Sequence, residues 1–304
     1  MFLDIIFLQM IFACSTPLNK LLLEQSSVLT LTTFRMLLAG LFILFSWFYL
    51  KKKGSYAIKK EHIGLFAQKI LFGSYLKYVL KYWGLQFMSP AHAALLFFTT
   101  PLWAALYDYV YFDQRFVSKQ WVGMGVTCLG IFPLLLSQQH SYFFTEHIIF
   151  LPAFALLLAV GAHCYGVMCT KKLMINHQYD PMLISAYSNL GTGCLAFLTA
   201  IIIQEPFIVM NGYKFAPYLI SLIFISNIIG KIWHTYLLKK HSMTILSLSE
   251  YLNPLFVTLY SWLFWGTYIS LEQVVSGICI VIGLYIFHSP KATVVESMIV
   301  AKNA

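Results

Sequence analysis

Ten stretches of this 304-residue chain are long and apolar enough, or nearly so, to cross a lipid bilayer. A spanning helix takes about 20 residues at a rise of about 1.5 Å each. The stretches are 5–23, 29–50, 62–82, 91–111, 120–137, 148–170, 182–203, 215–238, 243–265 and 273–288. Short polar connectors join them, such as "KKKGSYAIKK" (51–60) and "INHQYDP" (175–181). Only 10% of the residues are charged, against about 25% in a soluble domain. That supply coats the two ends of a helical bundle but not a globule of this length. The expectation is an integral membrane protein.

Composition also excludes several functions. The net charge of +9 does not point to nucleic acid, because the basic residues sit in short clusters between apolar runs. The six cysteines, Cys14, Cys128, Cys164, Cys169, Cys194 and Cys279, make no CxxC pair and read as buried, reduced thiols. The nine histidines form no HExxH and no ligand-like pairing with cysteine, so neither a metal nor another cofactor is expected. The opening "MFLDIIFLQMIFACS" carries Asp4 where a signal peptide is basic, and a bulky Phe12 two residues before Cys14. It reads as a retained first span.

With the N-terminus in the cytoplasm, thirteen lysines and arginines fall on the cytoplasmic side and three, Lys20, Lys81 and Lys214, on the outer side. This positive-inside bias predicts that both termini are cytoplasmic. The other four cations, Arg35, Lys69, Lys77 and Lys231, lie at membrane depth.

The chain also repeats itself at an offset of 153 residues. "SPAHAALLFFTTPLWAALYDYVY" from Ser89 aligns with "SMTILSLSEYLNPLFVTLYSWLF" from Ser242. Pro101 meets Pro254, Gln120 meets Gln273, Gly130 meets Gly283 and Gly40 meets Gly193, without a gap. Five spans in each half is an odd number, so the second copy enters the membrane from the opposite side. The predicted fold is an all-α membrane protein of ten transmembrane helices in two inverted five-helix repeats, 1–145 and 146–290, with a disordered cytoplasmic tail, 291–304. Inverted repeats belong to secondary transporters that bind cargo near mid-membrane.

At this point the chain resembles the EamA-type branch of the drug/metabolite transporter superfamily. The resemblance rests on the five-plus-five repeat and on the "P…Q–x–x–G" pattern in 99–123 and 252–277, and it covers nearly the whole chain. Arg35, in "TTFRMLLAG", stands where that family often has an arginine. Gln114 and Thr267 replace the family's usual glutamates, and Ser276 the second glycine, which suggests a divergent branch. The resemblance implies that the first, third, fourth, sixth, eighth and ninth helices line a central cavity. It implies a secondary transporter working by alternating access in the cell inner (cytoplasmic) membrane. The cargo would be a small polar metabolite, anionic or zwitterionic, of amino-acid-like or S-adenosylmethionine-like kind. Its partners would be that metabolite and membrane lipid, with a homodimer admitted. The alternative, a membrane-embedded lipid-modifying enzyme, needs Mg²⁺-binding aspartates, and the sequence holds neither DDxxD nor HxxxxD.

Candidate cargo-binding residues follow from the membrane-depth charges. Lys77 and Lys81 are four apart and share a helix face. Lys81 is expected to snorkel; Lys69 is open to snorkelling or a cavity role, and Lys77 reads as cavity-facing. Lys231 and Glu250 flank one hairpin at equal depth, so an ion pair is available, or a carboxylate for a cargo amine. At equal depth Lys77 meets Phe97, whose ring offers a cation–π face. Lys81 corresponds to His234 by the repeat, so both halves place a base there. Trp103 and Tyr107 are candidates to stack on a planar ligand, and Asn227 to serve as a polar contact. Pro101 and Pro254, with Asn253 beside the second, read as mid-helix hinge or cavity features. Asp108 reads as a boundary residue hydrated at the interface.

Overall fold

The computed structural model describes residues 2–50, 58–85, 96–130, 150–210, 212–265 and 271–287. Among them every element is helical, numbered here α1 Phe2–Leu23, α2 Val28–Leu50, α3 Ile63–Ile70, α4 Lys77–Leu85, α5 Thr100–Phe112, α6 Ser118–Gly130, α7 Phe150–Ile175, α8 Pro181–Ile202, α9 Gly212–Leu222, α10 Lys231–Lys240, α11 Met243–Ser249, α12 Asn253–Trp265 and α13 Leu271–Phe287. Five described helices are long and apolar enough to cross a membrane: Leu3–Leu23, Val28–Tyr49, Leu151–Ile175, Pro181–Ile202 and Gly212–Lys240. They match the first, second, sixth, seventh and eighth expected spans. The third carries three lysines, the fourth and fifth run into residues outside the described set, and the tenth contributes the shorter Val274–Phe287. The tail 291–304 also lies outside the described residues.

Three expected spans are not plain α-helices. A π-helical segment, Leu71–Leu76, joins α3 to α4, and a second, Ile223–Gly230, joins α9 to α10. At the repeat offset the first segment falls within the second. A 3₁₀ turn, Glu250–Leu252, separates α11 from α12. The prolines therefore need correcting: neither lies mid-helix. Pro101 stands at the start of α5 and Pro254 second in α12. Proline is at home there, because the first residues of a helix have no intrahelical use for their N–H groups. The carbonyl that Pro101 would leave unpaired, Phe97's, accepts the Thr100 hydroxyl, and Leu96 O accepts that of Thr99 at 2.7 Å.

The chain folds into two compact units that cut across the sequence repeats. One comprises Met1–Gln9, Trp83–Cys164 and His241–Ala304; the other comprises Met10–Tyr82 and Tyr165–Lys240. Each takes corresponding pieces from both halves of the chain.

In the second unit α2 packs along α8. A Cβ on Gly40 would come within 2.8 Å of Leu190 N, and one on Gly193 within 2.9 Å of Leu37 N. Rising numbers on one helix meet falling numbers on the other, so the helices are antiparallel. The pairs 40–190 and 37–193 also exchange under the 153-residue offset, as an isologous two-fold contact requires. The first unit repeats the arrangement with α6 and α13. A Cβ on Gly130 would lie 3.1 Å from Ile280 N, and one on Gly283 2.6 Å from Thr127 N. The Q–x–x–G pattern gains a local reason in its first copy. Gln120 Oε1 accepts Val117 N at 3.0 Å, half of a capping box. Gly123 lies where α13 crosses, 2.6 Å from Phe287 N for an added Cβ.

Connectors of the second unit sort into two ends. Ser26 bridges Val209, and Met210 N donates to Gln25 O at 2.9 Å. At the other end Lys59 N donates to Tyr179 Oη at 3.1 Å, and the His62 and His177 rings lie 3.8 Å apart.

Candidate functional site

Charge is distributed unevenly in the second unit. Arg35, Lys69, Lys77 and Lys231 lie within its helices, whereas all four of its carboxylates, Glu24, Glu61, Asp180 and Glu205, lie in connectors or at a helix cap. Asp180 caps α8, accepting Met182 N at 2.8 Å. Arg35 is held by neutral acceptors: Nε donates to Asn227 Oδ1 at 2.7 Å, one terminal nitrogen to Asn19 Oδ1 at 2.8 Å and the other to Ser226 Oγ at 2.7 Å. Lys231 donates to Asn189 Oδ1. Lys69 is buried, while Lys77 is half-buried with its ammonium 5.8 Å from the Tyr78 ring centre. Arg35, Lys69 and Lys77 all lie within electrostatic reach of Lys231, and His234 feels Lys69, Lys77 and Lys231. A medium that normally penalises a single charge thus hosts several of one sign.

Backbone geometry sets these positions. Each π segment ends on the residue immediately before a lysine, Leu76 before Lys77 and Gly230 before Lys231. A π turn takes up roughly one residue more than an α turn, re-aiming every side chain beyond it, and such segments concentrate at functional sites. Nothing in the apolar pattern announced them.

Several sequence-singled residues meet within this unit. Asn227, Lys231, His234 and Lys77 belong to the two third-position helices of the repeats. Asn227 is used on Arg35, with its Nδ2 3.5 Å from Met36 Sδ. The His234 ring lies 6.3 Å from that of Phe12. Arg35, held by Asn19, Ser226 and Asn227, joins these residues as a polar group absent from the sequence-predicted cargo contacts. The signal was its place at membrane depth.

The other singled residues belong to the first unit. Phe97 packs with Leu96 and Ala153 on Leu156. Trp103 lies over Gly161, whose Cβ position is 3.5 Å from the indole ring. Trp103, Tyr107 and Tyr111 form a stacked ladder with centroid spacings of 6.4 and 5.9 Å. The Tyr107 hydroxyl donates to Gly161 O at 3.4 Å. Glu250 opens the 3₁₀ turn and Asn253 follows it, both half-buried. Tyr251 donates to Phe98 O, its own repeat counterpart. Lys231 and Glu250 fall in different units. Asp108 departs from expectation: it is fully buried, and its Oδ2 accepts Thr244 N and Oγ1, both at 2.9 Å. It completes the start of α11 beside the Ser242 cap.

A repeated architecture, helical among the described residues and carrying cations within its apolar helices, defines a multi-pass membrane protein. The EamA-like transporter family model matches residues 3–136 and 151–288, so the chain belongs to that family. It is a metabolite transporter rather than an enzyme. Similar curated proteins include an S-adenosylmethionine/S-adenosylhomocysteine transporter of Chlamydia muridarum, 26% identical over 84% of this chain and 81% of the relative. A protein with the same description from Chlamydia trachomatis serovar L2 is 28% identical over 84% and 79%. A crystal structure at 17% identity covers 93% of both chains with a TM-score of 0.76, a likeness of fold.

Proposed function

We propose that this chain carries an adenosyl amino acid, S-adenosylmethionine or S-adenosylhomocysteine, by alternating access. The carrying observation is that Arg35, Lys69, Lys77 and Lys231 lie within the second unit's helices while its carboxylates lie in connectors or at a helix cap. A carboxylate on the cargo brings negative charge to this set of cations, with Lys77 and Lys231 as its ligands and His234 and Asn227 beside them. Within the first unit, Glu250 is the proposed acceptor for a cargo amine. Phe97, Trp103 and Tyr107 are the proposed aromatic faces, with Pro101, Asn253 and Pro254 at the helix breaks. The proposal includes ten spans in two inverted repeats, both termini cytoplasmic, in the inner membrane. The antiparallel, offset-exchanging pairs α2–α8 and α6–α13 support the inversion, and the connector pairing of the second unit supports the topology. The test is uptake of labelled S-adenosylmethionine into proteoliposomes preloaded with S-adenosylhomocysteine. Saturable uptake is expected, reduced about tenfold in Lys231→Gln, the scale of one charge-assisted hydrogen bond. Absence of exchange by the folded wild type would remove this cargo class.

A further inference from the structure

Helix α8 presents a polar face inside the second unit. Leu190 and Gly193 on one side pack against α2, and on the other Gly191 packs on Ile70 of α3. Ser185, Ser188 and Asn189 lie between these contacts, at spacings that place them on one side of a helix. They are 2%, 0% and 0% exposed. Ser185 Oγ, Ser188 Oγ and Asn189 Nδ2 have no hydrogen-bond partner among the described residues. That is unusual on this helix. Thr192 and Thr199 donate to the carbonyls of Ser188 and Leu195, at 2.7 and 2.8 Å, in the ordinary back-bonded way. A buried polar atom without a partner calls for an explanation such as a bound ion or water. Lys231, whose ammonium donates to Asn189 Oδ1, adds a formal charge to the same group. The cluster is rich in donors, and its one committed acceptor is already taken.

We propose that Ser185, Ser188 and Asn189 of α8, together with Lys231, form a subsite for a carboxylate, which binds once side chains part to admit it. The proposal rests on the amino-acid cargo inferred above and adds α8, a helix outside the set that the family resemblance assigns to the cavity. A carboxylate supplies acceptors only, in the number that these donors need. The group also sets specificity, since a cargo without a carboxylate leaves the same donors buried and unpaired.

Asn189→Asp is the decisive variant. It is nearly isosteric and keeps an acceptor for Lys231, but it replaces the unpartnered donor with an anionic oxygen that repels a carboxylate. Binding of S-adenosylhomocysteine and of its decarboxylated analogue is measured on the full-length protein. The wild type should prefer the carboxylate form about tenfold or more, and Asn189→Asp and Lys231→Gln should lose that preference. Retained preference in Asn189→Asp, or none in the wild type, overturns the subsite while leaving the cargo class standing. If the wild type binds neither compound, the cargo class falls. The subsite is then judged by acetate against acetamide in thermal unfolding. Stabilisation of the wild type by acetate alone, lost in Asn189→Asp, upholds it; equal effects of acetate and acetamide, or of acetate on both proteins, refute it. Ser188→Ala serves as a milder variant should the aspartate impair folding, with a partial loss of preference expected and full retention counting against the subsite.

Discussion

Gly166 in α7 and Gly73 in the first π segment meet backbone to backbone. A Cβ on Gly166 would overlap Gly73 Cα and lie 2.7 Å from its nitrogen and 3.2 Å from its carbonyl carbon. All three obstacles are main-chain atoms, so no side-chain rotation relieves them, and the helices must separate. Overpacking of this kind costs about 1–3 kcal/mol. Alanine also returns about 1 kcal/mol of helix propensity over glycine. The control is Gly125→Ala in α6, where an added Cβ meets nothing within 4 Å. The propensity gain is common to both variants, so their difference isolates the clash. Gly166→Ala should be about 1–3 kcal/mol less stable than Gly125→Ala. In a protein of this size that is several degrees of unfolding temperature, at about 2–4 °C per kcal/mol. Thermal unfolding of the detergent-purified proteins, followed by tryptophan fluorescence, reads the difference. Equal midpoints would refute the close crossing and, with it, the packing of α7 on the first π segment.

Asp108→Ala leaves the buried Thr244 N–H without its acceptor, and should cost about 1–3 kcal/mol in the same unfolding measurement. At the connector end, partial desolvation, followed by the charges of His62 and Lys59, holds His177 below its usual imidazole value of 6.5. The folded state therefore disfavours the protonated ring, and the stability this contributes is full above 6.5 and is lost as pH falls from 6.5 through the lower folded value. Hydrogen exchange in 58–62 and 176–180 should rise below that pH in the wild type and change less in His177→Gln. Single cysteines placed in 51–60 and 171–180 of a cysteine-free background should react with an impermeant maleimide from one side of the membrane. Cysteines in 24–27 and 206–210 should react from the other.

The sequence disclosed more of the helix pairing than apolar runs alone suggest. Gly40 with Gly193 and Gly130 with Gly283 stood out as matches at a fixed offset, and all four lie at helix crossings where a side chain would not fit. Runs of Leu, Ile and Phe located the helices because a bilayer asks only for length and apolarity. The π segments were hidden because their residues are as apolar as an α-helical core and carry no period of their own. The prolines were visible as interruptions, but whether a helix kinks at proline or restarts there depends on donors such as Thr100, whose reach is a matter of geometry. Asp108 was misplaced for a similar reason. Its depth along one helix was readable, but the open amide at the start of α11 that it satisfies lies 136 residues away. Lys231 was found through its charge, whereas Ser185 and Ser188 looked like any small residues of a membrane helix.

Because each compact unit draws on both copies of the repeat, a chain severed between residues 131 and 149 would give two fragments with neither unit complete. Such fragments should be degraded when made singly and recover transport only when made together. An ancestor with one copy of the repeat would have faced the same constraint, and met it by joining a second, oppositely oriented molecule of itself.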